Sequence, residues 1–249
     1  MKKTLLLCGV LLALAAPAFA QPYPPQIDLT WTDCVLGPTA VVDMGNACTN
    51  NVGSVGTMYA AFAPPGALPQ YEANSSIVDL QTSAAVLSPW WHLEVGGCRS
   101  GSLSISGDFT TSSFACGDFW NGQALGGLNY SSPSPSFASA PNSARIQTAM
   151  AVQEALAGLV DNSNIWYAYK LTINRAKTMP VGCPGCLDGA CIVLNEMRLS
   201  QPAPVPDVVL TTGPQQWVTY RGGAGTGRIC PASTPSHSKT WGSVKALYR

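Results

Sequence analysis

The sequence predicts an all-β protein, an antiparallel β-sandwich or jelly roll stapled by disulfides, and three observations predict it. Short runs of alternating apolar and polar residues recur along the chain. Clusters of Gly, Pro, Asn, Asp and Ser separate them, with no βαβ alternation. Charged residues are only 10% of the chain, against roughly 25% in an ordinary soluble domain. Hydroxyls and amides must then supply the polar surface, which suits strands and turns better than solvated helices. Finally, nine cysteines accompany an N-terminus that reads as an export signal, and removing that signal leaves an even eight.

The signal rests on Lys2 and Lys3, an apolar run over 5–16, and the small-x-small site Ala18-Phe19-Ala20. Residues 1–20 are expected to be the signal peptide and 21–249 a single β-sandwich domain, long enough to bury a substantial core. Export implies a secreted or periplasmic protein, within reach of the cell surface, in a compartment where cysteines pair. The signal takes Cys8 with it, along with two of the thirteen basic residues and no acid. That leaves eleven basic against thirteen acidic residues, without the basic excess that nucleic-acid binding shows. No second apolar stretch approaches the roughly 20 residues of a membrane span.

The strands are read in order. Ile27, Leu29 and Trp31 alternate with Asp28 and Thr30. Residues 58–62 form an apolar run closed by Pro64 and Pro65, and 77–80 form another. Trp91, Leu93 and Val95 alternate with Trp90, His92 and Glu94, and Leu103 and Ile105 alternate with serines. The longest run places Ile165, Tyr167, Tyr169, Leu171 and Ile173 on one face and Trp166, Ala168, Lys170 and Thr172 on the other. Residues 192–199, 208–211 and 217–220 complete the set. Only 148–160 can be read as a helix; Gly158 and the β-branched residues weaken that reading, and 145–152 fits a strand equally well. The Ser/Pro segment 131–136 and the Pro-rich 201–206 are loops.

Several motifs carry a resemblance. The segment Trp31-Thr32-Asp33-Cys34, the pair Trp90-Trp91, Gly97-Cys98-Arg99, Cys183-Pro184-Gly185-Cys186-Leu187-Asp188, and the ending Thr-Trp-Gly-Ser-Val-Lys-Ala-Leu-Tyr-Arg at 240–249 resemble an uncharacterised group of secreted bacterial proteins. The resemblance spans nearly the whole mature chain and implies no catalytic residue. In general pattern the strand order is also similar to the cohesin and carbohydrate-binding-module type of sandwich.

All eight remaining cysteines, Cys34, Cys48, Cys98, Cys116, Cys183, Cys186, Cys191 and Cys230, are expected in disulfides. Closeness in sequence favours Cys34 with Cys48 and Cys98 with Cys116. It also favours one short bond within 183–191 and a long one to Cys230. A 15-residue loop closed in this way is worth about 3 kcal/mol in the chain-entropy model. Two other readings of 183–191 compete. Cys183-Pro184-Gly185-Cys186 has the form of a thiol–disulfide active site, but no helix follows to lower a thiol's pKa. Zinc would need four ligands, which C-x2-C-x4-C with the distant Cys230 could supply; paired C-x-x-C knuckles are the strong form of that signal, and the chain has one.

Catalytic chemistry finds no foothold. His92 and His237 are the two histidines, no G-x-S-x-G elbow is present, and nothing pairs the four glutamates. The glycine-rich run 222–227 follows a strand but leads to no helix, so it reads as a hairpin loop and not as a phosphate cradle. No catalytic residue, cofactor or metal is assigned. Adjacent on a strand, Trp90 and Trp91 should face opposite ways, and the outward indole with His92 is the best ligand-binding candidate. The sequence thus points first to a non-enzymatic structural or interaction protein, with polysaccharide or another surface protein as partner. A carbohydrate-binding module using exposed tryptophans comes second, and a redox or metal protein at 183–191 third. The ending at 240–249 reads as a last strand or frayed terminus.

Overall fold

The computed structural model describes residues 22–135, 140–179 and 182–223. The signal segment, Cys230, His237, the glycine-rich run beyond 223 and the 240–249 ending lie outside the described residues. The strands are β1 (Gln26–Trp31), β2 (Asp43–Met44), β3 (Ser54–Ala63), β4 (Leu68–Tyr71), β5 (Ala73–Thr82), β6 (Leu103–Ser106) and β7 (Leu125–Ser131). They continue with β8 (Ser143–Ala151), β9 (Gly158–Val160), β10 (Trp166–Asn174), β11 (Ala190–Ser200), β12 (Val208–Leu210) and β13 (Trp217–Tyr220). The protein is all-β. One sheet runs β1-β3-β10-β6 and a second runs β2-β13-β11-β5-β8-β7, with β12 beside β11; β4 and β9 form a small ribbon. Neighbours are antiparallel except β13 and β2, which are parallel.

Eight of the expected runs fall within or overlap β1, β3, β5, β6, β10, β11, β12 and β13. The ambiguous stretch after 143 is no helix: β8 is followed by a single 3₁₀ turn, Glu154–Leu156, and then β9. The expected strand at 91–95 is also absent. Pro89–Trp91 is a 3₁₀ turn instead, with Pro89 at its start, where a missing N–H costs nothing.

The longest strand departs from simple alternation. Tyr167 pairs with Ala61 and Tyr169 with Ala60, so a bulge at Ala168 puts two residues of β10 against one step of β3. Directly paired residues share a face. Tyr169 therefore joins Met58, Ala60 and Leu171 on the inner face, while Tyr167 joins Tyr59 and Lys170 on the outer one. Their contacts agree. Tyr169 hydroxyl reaches across the sandwich to Ser76 of β5, which also meets Thr148 of β8 at 2.7 Å. Tyr167 stacks on Phe109 with centroids 4.2 Å apart. The segment after β6 that carries Phe109 is fastened over this outer face by a bond between Cys34 and Cys116. Inside, Trp31 Nε1 donates to Thr219 O at 2.9 Å and Trp120 Nε1 to Ala168 O at 2.9 Å, so each buried indole satisfies its one donor.

Two buried carboxylates contrast. Asp79, in mid-sheet, takes both arms of Arg145 at 2.9 and 3.0 Å and Asn195 Nδ2 at 2.6 Å, a well-satisfied ion pair. Asp28, on β1, is fully buried with Gln26 Nε2 at 2.7 Å, and its Oδ1 has no partner. Burial pushes its pKa up to about 6 from 3.8, against the lowering effect of the hydrogen bonds from Gln26 and the Gln215 backbone. A carboxyl raised on folding contributes stability below its unfolded value and loses it as pH rises through the folded one. Asp28→Asn, neutral throughout, is expected to gain up to about 3 kcal/mol over the parent protein above pH 6 and only about 0.5 kcal/mol at pH 4. Urea unfolding of both proteins at pH 4 and pH 8 measures the difference.

Candidate functional site

The residues singled out for ligand binding meet at one end of the sandwich, in the loop between β5 and β6. Trp90 and Trp91 both have zero exposure. The expected outward indole is therefore absent, because a 3₁₀ turn does not alternate its side chains as a strand does. Trp90 lies flat on Tyr220 of β13, centroids 5.4 Å apart, and Trp91 stands edge-on to both rings. Trp91 Nε1 donates to Asp188 O at 3.2 Å, and the Tyr130 hydroxyl of β7 donates to Trp91 O.

The side chain that organises this end is Arg99, whose chemistry the sequence reading left unassigned. Its guanidinium is fully buried and, among the described residues, pairs with no carboxylate. Nε donates to Ala176 O at 3.0 Å, Nη1 to Trp90 O at 3.1 Å and Nη2 to Asn174 O, and the charge sits 3.9 Å over the Trp90 ring. Desolvation draws its pKa down to about 10, so it remains a cation at neutral pH. Arg99, Trp90 and Tyr220 thus form one stack, cation on indole on phenol. Only the Gly-Cys-Arg motif hinted at it; an arginine in an otherwise charge-poor chain was the available signal.

Three disulfides join distant segments, and none is a local staple. They are Cys34–Cys116, Cys48–Cys186 and Cys98–Cys183, spanning 82, 138 and 85 residues. Cys191 is also disulfide-bonded. Its partner is neither Cys183 nor Cys186, so the expected short bond within 183–191 does not form. The physical reason is topological: each sheet mixes early and late strands, so the loops that carry the cysteines meet loops distant in sequence. Cys183 and Cys186 are buried and each is bonded elsewhere, which leaves no thiol pair for redox work and no thiolates for zinc. The tetrapeptide works as a turn. Gly185 adopts φ +105, and a Cβ there would lie 2.1 Å from Ser88 Oγ. Pro184 O accepts from Trp90 N at 2.9 Å, so this turn seats the tryptophan loop.

His92, a third exposed, is tied on both sides, with Nδ1 2.6 Å from Glu94 Oε1 and Nε2 3.2 Å from Leu87 O. Glu94 lines a cleft of about 360 Å³ between the 93–103 loop and β7, with Val95, Ser100, Asn129 and Tyr130. A second cleft of about 630 Å³ lies at the other end of β7, with Leu125, Val152 and Leu156 in its walls. Among the described residues no group of three or more His, Cys, Asp or Glu is placed to hold a metal, and no helix is long and apolar enough to cross a membrane. The expected outward indole is thus absent; two clefts lie beside β7, and the one at its end is lined by Tyr130, whose hydroxyl meets Trp91 O.

No family model matches this sequence, and no curated protein matches it. Among solved structures, the C-terminal domain of the Streptococcus pyogenes antigen I/II-family protein AspA matches over 79% of this chain, at 10% identity and a TM-score of 0.26. The chain spans 46% of that chain's length. An overlap this loose carries no property from one to the other.

Proteolytic mapping without reduction is expected to recover the three cross-linked peptides 34–116, 48–186 and 98–183, and no peptide linking 34 to 48 or 98 to 116. Arg99→Ala leaves three carbonyls without their donor and uncovers the Trp90 face. It is expected to cost about 3 kcal/mol in urea unfolding of the oxidised protein, with a parallel change in near-UV circular dichroism from the Trp90–Tyr220 stack.

Proposed function

We propose that this chain is a secreted or surface-associated, non-enzymatic interaction protein: a disulfide-braced β-scaffold that presents a rigid loop end and sheet edge to another macromolecule. The observation that carries the reading is the use of the chain's most chemically suggestive residues. Cys183, Cys186, His92, Arg99 and the paired tryptophans are all spent on holding one end of the sandwich together. Disulfides spanning 82 to 138 residues support an oxidising, extracytoplasmic location. The motifs shared with the group of secreted bacterial proteins support membership there. In this fold the Trp31-Thr32-Asp33-Cys34 motif is structural, since Trp31 is core and Asp33 Oδ1 accepts from Cys34 N and Ser113 Oγ, both at 2.8 Å. Polysaccharide binding at Trp90 or Trp91 gains no support from indoles that expose no surface.

Photo-cross-linking of the tagged full chain in cells that export it, followed by mass spectrometry, tests the reading. A discrete set of cross-linked proteins is expected, together with no retention of the purified protein on a polysaccharide panel. Retention on a polysaccharide without any protein cross-link would overturn it in favour of the carbohydrate-binding alternative.

A further inference from the structure

Among the described residues, every sheet edge in the sandwich but one is short or hydrogen-bonded by neighbouring backbone. Along β1 the loop before β13 supplies partners, with Ile27 N donating to Thr212 O at 3.0 Å and Leu29 N to Gln215 O at 2.6 Å. β2 has two residues and β6 four. The exception is β7, seven residues long, which ends its sheet and pairs along one side with β8. Its sequence, Leu-Gly-Gly-Leu-Asn-Tyr-Ser, holds no charge and no proline. Leu125, Gly126, Gly127 and Asn129 are exposed, Leu125 to 81%. Proteins usually blunt such an edge with lysine, proline or a bulge, because unpaired N–H and C=O groups recruit another strand.

The two clefts flank this strand. The one at its start has apolar walls from Leu125, Val152 and Leu156, and none of its lining residues is charged. The one at its end contains Glu94 as its single charged lining residue; Glu94 Oε1 pairs with His92, and its Oε2 is buried without a hydrogen-bond partner, so a basic group arriving there meets a carboxylate that is only half satisfied. Leu125 and Asn129 are four residues apart, roughly 13 Å along a strand.

We propose that β7 is a docking edge for an extended segment of a partner polypeptide, added as a further strand. The segment places an apolar side chain in the first cleft and a basic one, four residues away, against Glu94. Main-chain hydrogen bonds along the edge supply affinity, and the two clefts supply the choice of sequence. The assignment rests on the interaction-protein reading above and names the surface and the chemistry of the partner.

The test uses the full disulfide-bonded chain and fluorescent pentapeptides of alternating apolar and Thr residues. The first position is Leu, Ile or Phe, the fifth is Lys, Arg, Glu or Ser, and a proline-centred version of each serves as control. Fluorescence polarisation is expected to show binding by Lys- and Arg-ended peptides, about tenfold weaker binding by Glu-ended ones, and none by the proline versions. Leu125→Lys with Gly127→Lys is expected to abolish binding while leaving circular dichroism and the unfolding midpoint intact; the space around Gly127 is open to a side chain. Glu94→Gln is expected to erase the preference for a basic end. Binding no better than that of the proline controls, or binding indifferent to the edge lysines, overturns the proposal. So does a dimer of the protein alone that the edge lysines disperse, which would give the edge to a second copy. Cross-linked partners that survive the edge lysines would sink the β7 assignment and leave the interaction reading standing; an absence of any cross-linked partner would sink the reading itself.

Discussion

A buried guanidinium with no carboxylate to answer it must be satisfied by the backbone, and this requirement shapes the loop end of the molecule. Arg99 meets it with the carbonyls of Trp90, Asn174 and Ala176. The first belongs to the tryptophan turn; the other two lie at the end of β10 and just beyond it. One side chain thus ties the turn to the end of one sheet. The Trp90 ring, held beneath the charge, carries the connection to Tyr220 in the other sheet. A carboxylate partner would have bound Arg99 to one point. Carbonyls spread over two segments make it a three-way joint.

The disulfides act on the same end by a different means. Cys98 adjoins Arg99 and bonds Cys183, and three residues on Cys186 bonds Cys48, so the turn at 183–186 is held from two sides. In the chain-entropy model, loops of 80 residues or more remove over 4 kcal/mol each from the unfolded state when closed singly, compared with about 3 for a 15-residue staple. Long spans suit a chain whose sheets mix early and late strands, since they hold together what folding must bring from far apart. The charge-poor composition points the same way: among the described residues ion pairs are few, and Asp79 with Arg145 is the well-buried one.

Rigid at that end, the sandwich leaves β7 open. The proposed strand addition gains from this division, because an edge fixed in advance loses little entropy when a strand joins it. The tryptophans contribute from behind. Tyr130 of β7 reaches back to the carbonyl of Trp91, so the stack that resembled a ligand platform in sequence serves as the backing of the edge strand.

Strand content and most strand positions were legible in the sequence, because two-residue periodicity and turn residues are local signals that burial merely ratifies. The runs at 27–31, 165–173 and 192–199 were legible for that reason. The structural use of the cysteines was legible too, through an N-terminus that reads as an export signal and an even remaining count, and the seven described cysteines are disulfide-bonded. Tertiary structure decided what depends on distance in space. The bulge at Ala168, which turns Tyr167 outward, is set by pairing with β3 and has no mark in β10 itself. Cysteine pairing followed sheet order and not chain order. The Trp90-Trp91 pair read as a strand because aromatics favour strands, yet Pro89, the CPGC turn and a buried arginine drew both rings inside. Which edge stays open is likewise a property of the assembled sheets: β7 has weak strand propensity, with two glycines in seven residues, and only its place at the end of the sheet order suits it to the proposed docking role.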